Sequence, residues 1–253
     1  MIQNYDPLSL CLIMAVIFLI GGVIKGFLGQ GLPTTTIALL SFFVTPLEAI
    51  GLNYLPMLVL NGWQFLKADN HRQIISGYRL LAATLLLSIG CFAFFAVSLG
   101  NIGISVLIGA VIFLFSGASL FGFQLKIQDR YDAFWQVITG LAAGIVGGLT
   151  SLWGSPLIIY LLTRPLSPKQ FVDVSGFLLL VGCLPLAIGY YATGIFVFDT
   201  MVVPALVAIG TGLLGFQIGA GLRSRVQPTL FKTLVLVIFM IMGFRMLLVP
   251  FLG

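Results

Sequence analysis

Two short stretches prevent this chain from folding as a plain bundle of continuous helices. The first, Lys25 to Thr36, reads KGFLGQGLPTTT, and the second, Gly144 to Pro156, reads GIVGGLTSLWGSP. Each falls where an apolar run would otherwise continue. Proline lacks a backbone N–H and clashes with the preceding turn, and a helical glycine costs about 1 kcal/mol against alanine. The first stretch holds Gly26, Gly29, Gly31 and Pro33, and its Gly31-Leu32-Pro33 matches Gly154-Ser155-Pro156 in spacing. Broken backbone inside a bilayer is tolerated only where it is buried in protein or lines a polar cavity. In transporters it commonly marks the substrate site.

That the medium is a bilayer follows from composition. The chain is 60% hydrophobic and 8% charged, against about 25% charged in a soluble domain. Apolar runs of about 20 residues recur without the alternation of an outer-membrane barrel, so the expected class is an all-α integral membrane protein. Its 30 glycines suit close helix packing in lipid. The net charge of +5 is spread over short loops, which argues against a nucleic-acid-binding face. Cys11, Cys91 and Cys183 all fall in apolar runs and are expected as buried thiols, not disulfides or metal ligands. The first 24 residues contain no Lys or Arg, so the first apolar segment reads as part of the mature protein, not a signal peptide.

The two halves follow one plan. Residues 8–24 are apolar but marginal for a full span, the break follows, and residues 33–44 are too short to cross. The two pieces are expected to form a hairpin with its turn inside the membrane. Thr45-Pro46-Leu47-Glu48 is a capping box that opens a span to Leu66, and spans over residues 78–99 and 102–123 follow. In the second half residues 133–148, the break and residues 156–163 form the corresponding hairpin. Ser167-Pro168-Lys169-Gln170 is the second capping box, followed by spans over 171–193, 200–222 and 229–252. Gly117 and Gly243 occupy matching places in the last span of each half. The plan predicts one membrane domain of two repeats, residues 1–125 and 126–253, each a re-entrant hairpin plus three transmembrane helices, with about 8–10 helical segments in all.

Ten basic residues (Lys67, Arg72, Arg79, Lys126, Arg130, Arg164, Lys169, Arg223, Arg225 and Lys232) flank loops that alternate with turns lacking Lys and Arg. Placing all ten in the cytoplasm puts both termini outside. An odd number of crossings per half then makes the repeats inverted, a common transporter plan.

Each break starts a short helix with Pro expected at its first position. The unpartnered N–H groups and the helix dipole there make an anion site. The expected donors are the amides of Gly31, Leu32 and Thr34 with the Thr34 and Thr35 hydroxyls in the first break. Gly154 and Ser155, with Thr150 and Ser151 close by, serve the second. Gly29, Gln30 and Pro33 belong to the first break and Pro156 to the second, where Trp153 is expected to wall the site. The alternative is that the glycines only permit tight packing. Lys25 is the only Lys or Arg near either break, and it either adds charge beside the anion or snorkels to a polar face. Asn53 and Asn61 share one helix face with Gln64 a turn beyond, and line the pathway or glue helices together. Asp173 is the acid placed to bind a coupling proton, though a first-turn Asp complementing the dipole is the more ordinary role. Arg245 is expected at an interface, Trp63 and Trp135 in the aromatic belt, and His71 in a solvated loop. No Ser/His/Asp set, metal cluster or nucleotide loop is present in the sequence, so neither enzyme chemistry nor a cofactor is expected.

At these residues the sequence resembles the sulfite exporter TauE/SafE family, also called the toluene-sulfonate uptake permease family. Gly147 to Leu162, GGLTSLWGSPLIIYLL, resembles the family's GGLTG-x-x-GPP-type hairpin with Ser155 where a proline is frequent. KGFLGQGLP is similar to its G-x-G-G-G-type hairpin with Gln30 in place of a glycine. The resemblance covers essentially the whole chain. It implies a multi-pass permease of a prokaryotic inner membrane that needs no cofactor. It also implies sulfite, sulfoacetate and related organosulfonates as substrates, with export as the usual direction. A passive anion channel and a non-transporting sensor or assembly subunit are the alternatives. Glycine-rich faces also allow a homodimer.

Overall fold

The computed structural model describes residues 5–122, 127–223 and 225–252. Among them there is no strand, and the helices are α1 (Pro7–Leu28), α2 (Leu32–Leu40), α3 (Pro46–Leu66), α4 (His71–Gly77), α5 (Arg79–Phe92), α6 (Gly100–Leu120), α7 (Asp132–Thr150), α8 (Gly154–Leu161), α9 (Pro168–Ala192), α10 (Phe198–Leu222) and α11 (Pro228–Leu252). Six are long and apolar enough to cross a membrane: α1, α6, α7, α9, α10 and α11. This shifts the expected assignment. The first leg of each hairpin is long enough to span, α1 having 22 residues, or about 33 Å of helix. The 21-residue α3 is instead too polar to qualify, because Glu48, Asn53, Asn61 and Gln64 lie along it. Lys126 and Phe123 fall outside the described residues.

Both capping boxes form. The Thr45 hydroxyl accepts from the Glu48 amide while the Glu48 carboxylate accepts from the Thr45 amide at 2.9 Å, and Ser167 and Gln170 repeat the arrangement. Pro follows each cap, where its missing N–H costs nothing.

The expected span over residues 78–99 opens as α5 and ends in 3-10 turns at Ala93–Phe95 and Val97–Leu99. At its entrance α4 and α5 meet at an angle of 71°. Gly77 has low helix propensity, and Gln136 of α7 supplies the bonds that the bend removes. Its Nε2 donates to the Gly77 carbonyl at 3.1 Å, and its Oε1 accepts from the Leu81 amide at 3.3 Å.

Glycine sets the helix packing. α1 and α10 run parallel: a Cβ on Gly22 would strike the Gly212 carbonyl, one on Gly26 the Phe216 carbonyl, and one on Gly219 the Val23 carbonyl. α5 and α7 are also parallel, with Gly140 against Thr84, Gly144 against Ser88 and Gly148 against Phe92. α6 and α11 cross antiparallel at Gly109 and Gly243, and Ser105 Oγ donates to the Met246 carbonyl at 3.0 Å. The most extensive packings (α1 with α10, α5 with α7, α6 with α11, α3 with α9) all join an element before residue 125 to one after it. The two halves of the sequence are thereby interlocked.

Candidate functional site

The first break reverses the chain through two left-handed glycines, Gly29 at φ 81° and Gly31 at φ 94°. A side chain is strained in that region and glycine is not. α1 therefore continues past Lys25 and Gly26 and ends at Leu28, later than the sequence break suggested, with the Gly29 amide closing onto the Lys25 carbonyl at 2.7 Å. Gly31 caps α2, which places Pro33 at the second helical position. The second break uses one left-handed residue, Ser151 at φ 65°. Its hydroxyl meets the Tyr190 hydroxyl at 2.6 Å, a compensating bond for a strained position. α8 begins at Gly154, so Pro156 is its third residue and not its first. Proline tolerates any position in the first turn, where no intrahelical N–H bond is required.

The two helix starts meet across a cavity of about 50 Å³ lined by Lys25, Gln30, Gly31, Pro33 and Thr34 from the first break and by Gly154 and Ser155 from the second. Leu28, Phe115, Leu152, Ile158, Leu179, Val235, Leu236 and Phe239 complete the wall. Lys25 is 1% exposed, and its Nζ donates to Asn61 Oδ1 at 2.6 Å. The Asn61 amide nitrogen faces Cys183 Sγ at 3.5 Å. Two helix N-termini and the Lys25 amino group thus converge on a space walled otherwise by apolar side chains. That arrangement favours a small anion.

A protein-family model described as Sulfite exporter TauE/SafE matches residues 13–246, from within α1 into α11, so both breaks lie inside the match. The chain belongs to the sulfite exporter TauE/SafE family. No curated protein and no solved structure matches it. As a TauE/SafE member with six helices able to cross a bilayer, it is a multi-pass membrane protein of an anion-transporter family.

Other residues singled out in the sequence lie off the cavity lining in this TauE/SafE chain. The Thr35 hydroxyl donates to the Gly31 carbonyl at 2.8 Å. Asn53 accepts from the Thr36 hydroxyl at 2.6 Å, tying α2 to α3. The Thr150 hydroxyl turns back to the Val146 carbonyl at 2.6 Å. Trp153 is buried, its ring edge against Gly182 and its Cβ against Gly147. Gln64 Nε2 donates to the Gly29 carbonyl at 3.0 Å and to the Val172 carbonyl at 2.7 Å, so it ties the first turn to α9. Asp173 is the sixth residue of α9, past its first turn, 3.5 Å from Lys169 and accepting from the Asp69 amide at 3.3 Å.

Asp173 lines a second, larger cavity of about 530 Å³ where the basic loops meet. It is rimmed by two ion-pair groups, Lys169 with Asp69 and Asp173, and Arg164 with Asp132 and Asp129. Tyr160 donates to Asp132 at 2.6 Å on its floor. Two smaller expectations change, for His71 and for the cysteines. His71 is not freely solvated, since its Nε2 lies 2.8 Å from the Phe65 carbonyl with its ring edge-on to Phe65. Arg245 lies over the Phe42 ring at 3.5 Å and donates to Ser41. Among the cysteines only Cys183 is buried, and Cys91 is exposed. Sequence reasoning missed Phe115 and Phe239 in the cavity wall, and Cys183 beside Asn61. Nothing in an apolar run distinguishes a wall residue from a lipid-facing one.

Proposed function

We propose that the chain is a secondary transporter, of exporter type, for a small sulfur oxyanion such as sulfite or an organosulfonate such as sulfoacetate. The anion binds between the starts of α2 and α8, near the middle of the bilayer of a prokaryotic inner membrane. The observation that carries this reading is Lys25, among the described residues the one charged side chain lining the inter-hairpin cavity, buried and hydrogen-bonded to a neutral amide. Family membership supports the substrate class. Gly31, Thr34, Gly154 and Ser155 supply the remaining donors.

The larger cavity at the basic loops is the cytoplasmic vestibule in this reading, because Lys and Arg gather on the cytoplasmic side. The inter-hairpin cavity is about tenfold smaller than the vestibule, and the two share no lining residue, which suits a closed carrier better than an open pore. The repeats are inverted in this reading, but their interlocked packing argues against one half of the sequence rocking on the other. The moving bodies are instead α1, α2, α3 and α10 on one side and α5, α7, α8 and α9 on the other, with α3 sliding on α9.

The test is thermal stabilisation of the detergent-purified protein by sulfite, sulfate, thiosulfate, sulfoacetate, lactate and chloride, followed by flux in liposomes. An anion at 100 times its Kd stabilises the native state by about 2.7 kcal/mol. Absence of flux for every anion under any gradient sinks the proposal.

A further inference from the structure

Lys25 has three N–H donors when protonated, and one of them meets Asn61 Oδ1. Among the described residues no carboxylate lies within ion-pair distance of it. The groups around it are neutral or apolar on α3 (Asn61), the α2 side (Gly31 and Thr34), α8 (Ser155), α9 (the Cys183 thiol) and α11 (Phe239). On α10 the charged group is Arg223, bonded to the Gly26 and Phe27 carbonyls, and its positive charge supplies no counter-charge either. Asp69, Asp132 and Asp173 line the vestibule, which shares no residue with this cavity. A buried ammonium without a counter-charge is expensive, and a neutral amine is not. An anion in the cavity supplies the missing counter-charge. Anion binding and proton binding then favour each other reciprocally.

We propose that Lys25 takes up one proton when the anion binds and releases it when the anion leaves, so that anion and proton cross together. This rests on the cavity being the anion site. On the side of entrance, the amine and a proton from water give the ammonium, which pairs with the anion. On the other side the anion departs and the ammonium returns its proton to water. No bond other than N–H forms or breaks. A monoanion crosses with no net charge, and a dianion with one negative charge. Asn61 suits this cycle, because its amide oxygen accepts from amine and ammonium alike and holds the side chain in place in both states. A carboxylate at that position would hold the proton permanently.

The experiment is calorimetric titration of the full-length purified protein with sulfoacetate and with thiosulfate, whose charges do not change near neutral pH. It is run in two buffers of different ionisation heat. The expected result is a buffer-dependent heat equal to one proton taken up per anion bound. In Lys25→Arg, which stays charged, the anion binds without that proton. Wild-type binding with no buffer dependence overturns the proton proposal and leaves the anion site standing. Failure of every sulfur oxyanion to bind fells the anion site, and this proposal with it. The decisive comparison is between buffers on the wild type, so it does not depend on the variant folding.

Discussion

Lys25 Nζ and Asn61 Oδ1 lie 2.6 Å apart in the buried centre of the protein, 36 residues apart in sequence. Asn61 is 2% exposed and its other amide atom is committed to Cys183. The pair joins the last turn of α1 to α3 beside the inter-hairpin cavity.

Replacing Asn61 by Leu leaves the lysine without its hydrogen-bond partner. Loss of one member of such a pair costs about 1–3 kcal/mol, read as a fall in melting temperature of the anion-free protein. Anion stabilisation should weaken as well, since the lysine is no longer held at the cavity.

Lys25→Met removes the buried amine and keeps the aliphatic stem. It leaves Asn61 Oδ1 without its donor, so anion-free stability should fall by about 1–3 kcal/mol. The stabilisation of about 2.7 kcal/mol expected at 100 times Kd should disappear. A thermal-shift series with and without sulfite separates these effects, and a variant that keeps full anion stabilisation would show Lys25 to be structural.

The glycines of α10 are not equivalent. A Cβ on Gly219 strikes the Val23 backbone of α1, while one on Gly210 meets open space. Gly219→Ala should destabilise by about 1–3 kcal/mol through overpacking. Gly210→Ala should stabilise by up to about 1 kcal/mol through helix propensity. Melting temperatures of the two single variants check the contrast.

Thr45→Ala and Ser167→Ala each remove the side-chain half of a capping box. Each should cost about 1 kcal/mol, and the two should add, because the caps open separate helices. An additive loss in the double variant, with anion affinity unchanged, is the expected outcome.

The sliding of α3 on α9 is tested by cysteines at Gly62 and Leu180, which face each other across that packing. In a chain with Cys11 and Cys91 replaced, cross-linking the pair with a short thiol reagent should cut flux in liposomes at least tenfold, and reduction should restore it. Undiminished flux would place the motion elsewhere.

The sequence by itself determined the medium, the two breaks and the two capping boxes. Charge scarcity, glycine and proline, and cap residues act within a few residues of where they stand, so their consequences are local. Lys25, Gln30, Gly31, Thr34, Gly154 and Ser155 were legible for the same reason, each lying in or beside a break. Only the tertiary structure decided that α1 runs on to Leu28, because its end depends on Gly29 and on Arg223 from α10, which donates to the Gly26 and Phe27 carbonyls at 2.5 and 2.9 Å. It alone decided that Thr35 and Asn53 turn away from the cavity while Asn61 reaches Lys25. Helix rotation in a bilayer is set by which neighbour a glycine face fits, and apolar residues facing lipid, wall or partner helix read alike in sequence. The bend at Tyr78 was hidden likewise, since the bonds that support it come from Gln136 on another helix, more than fifty residues away in sequence.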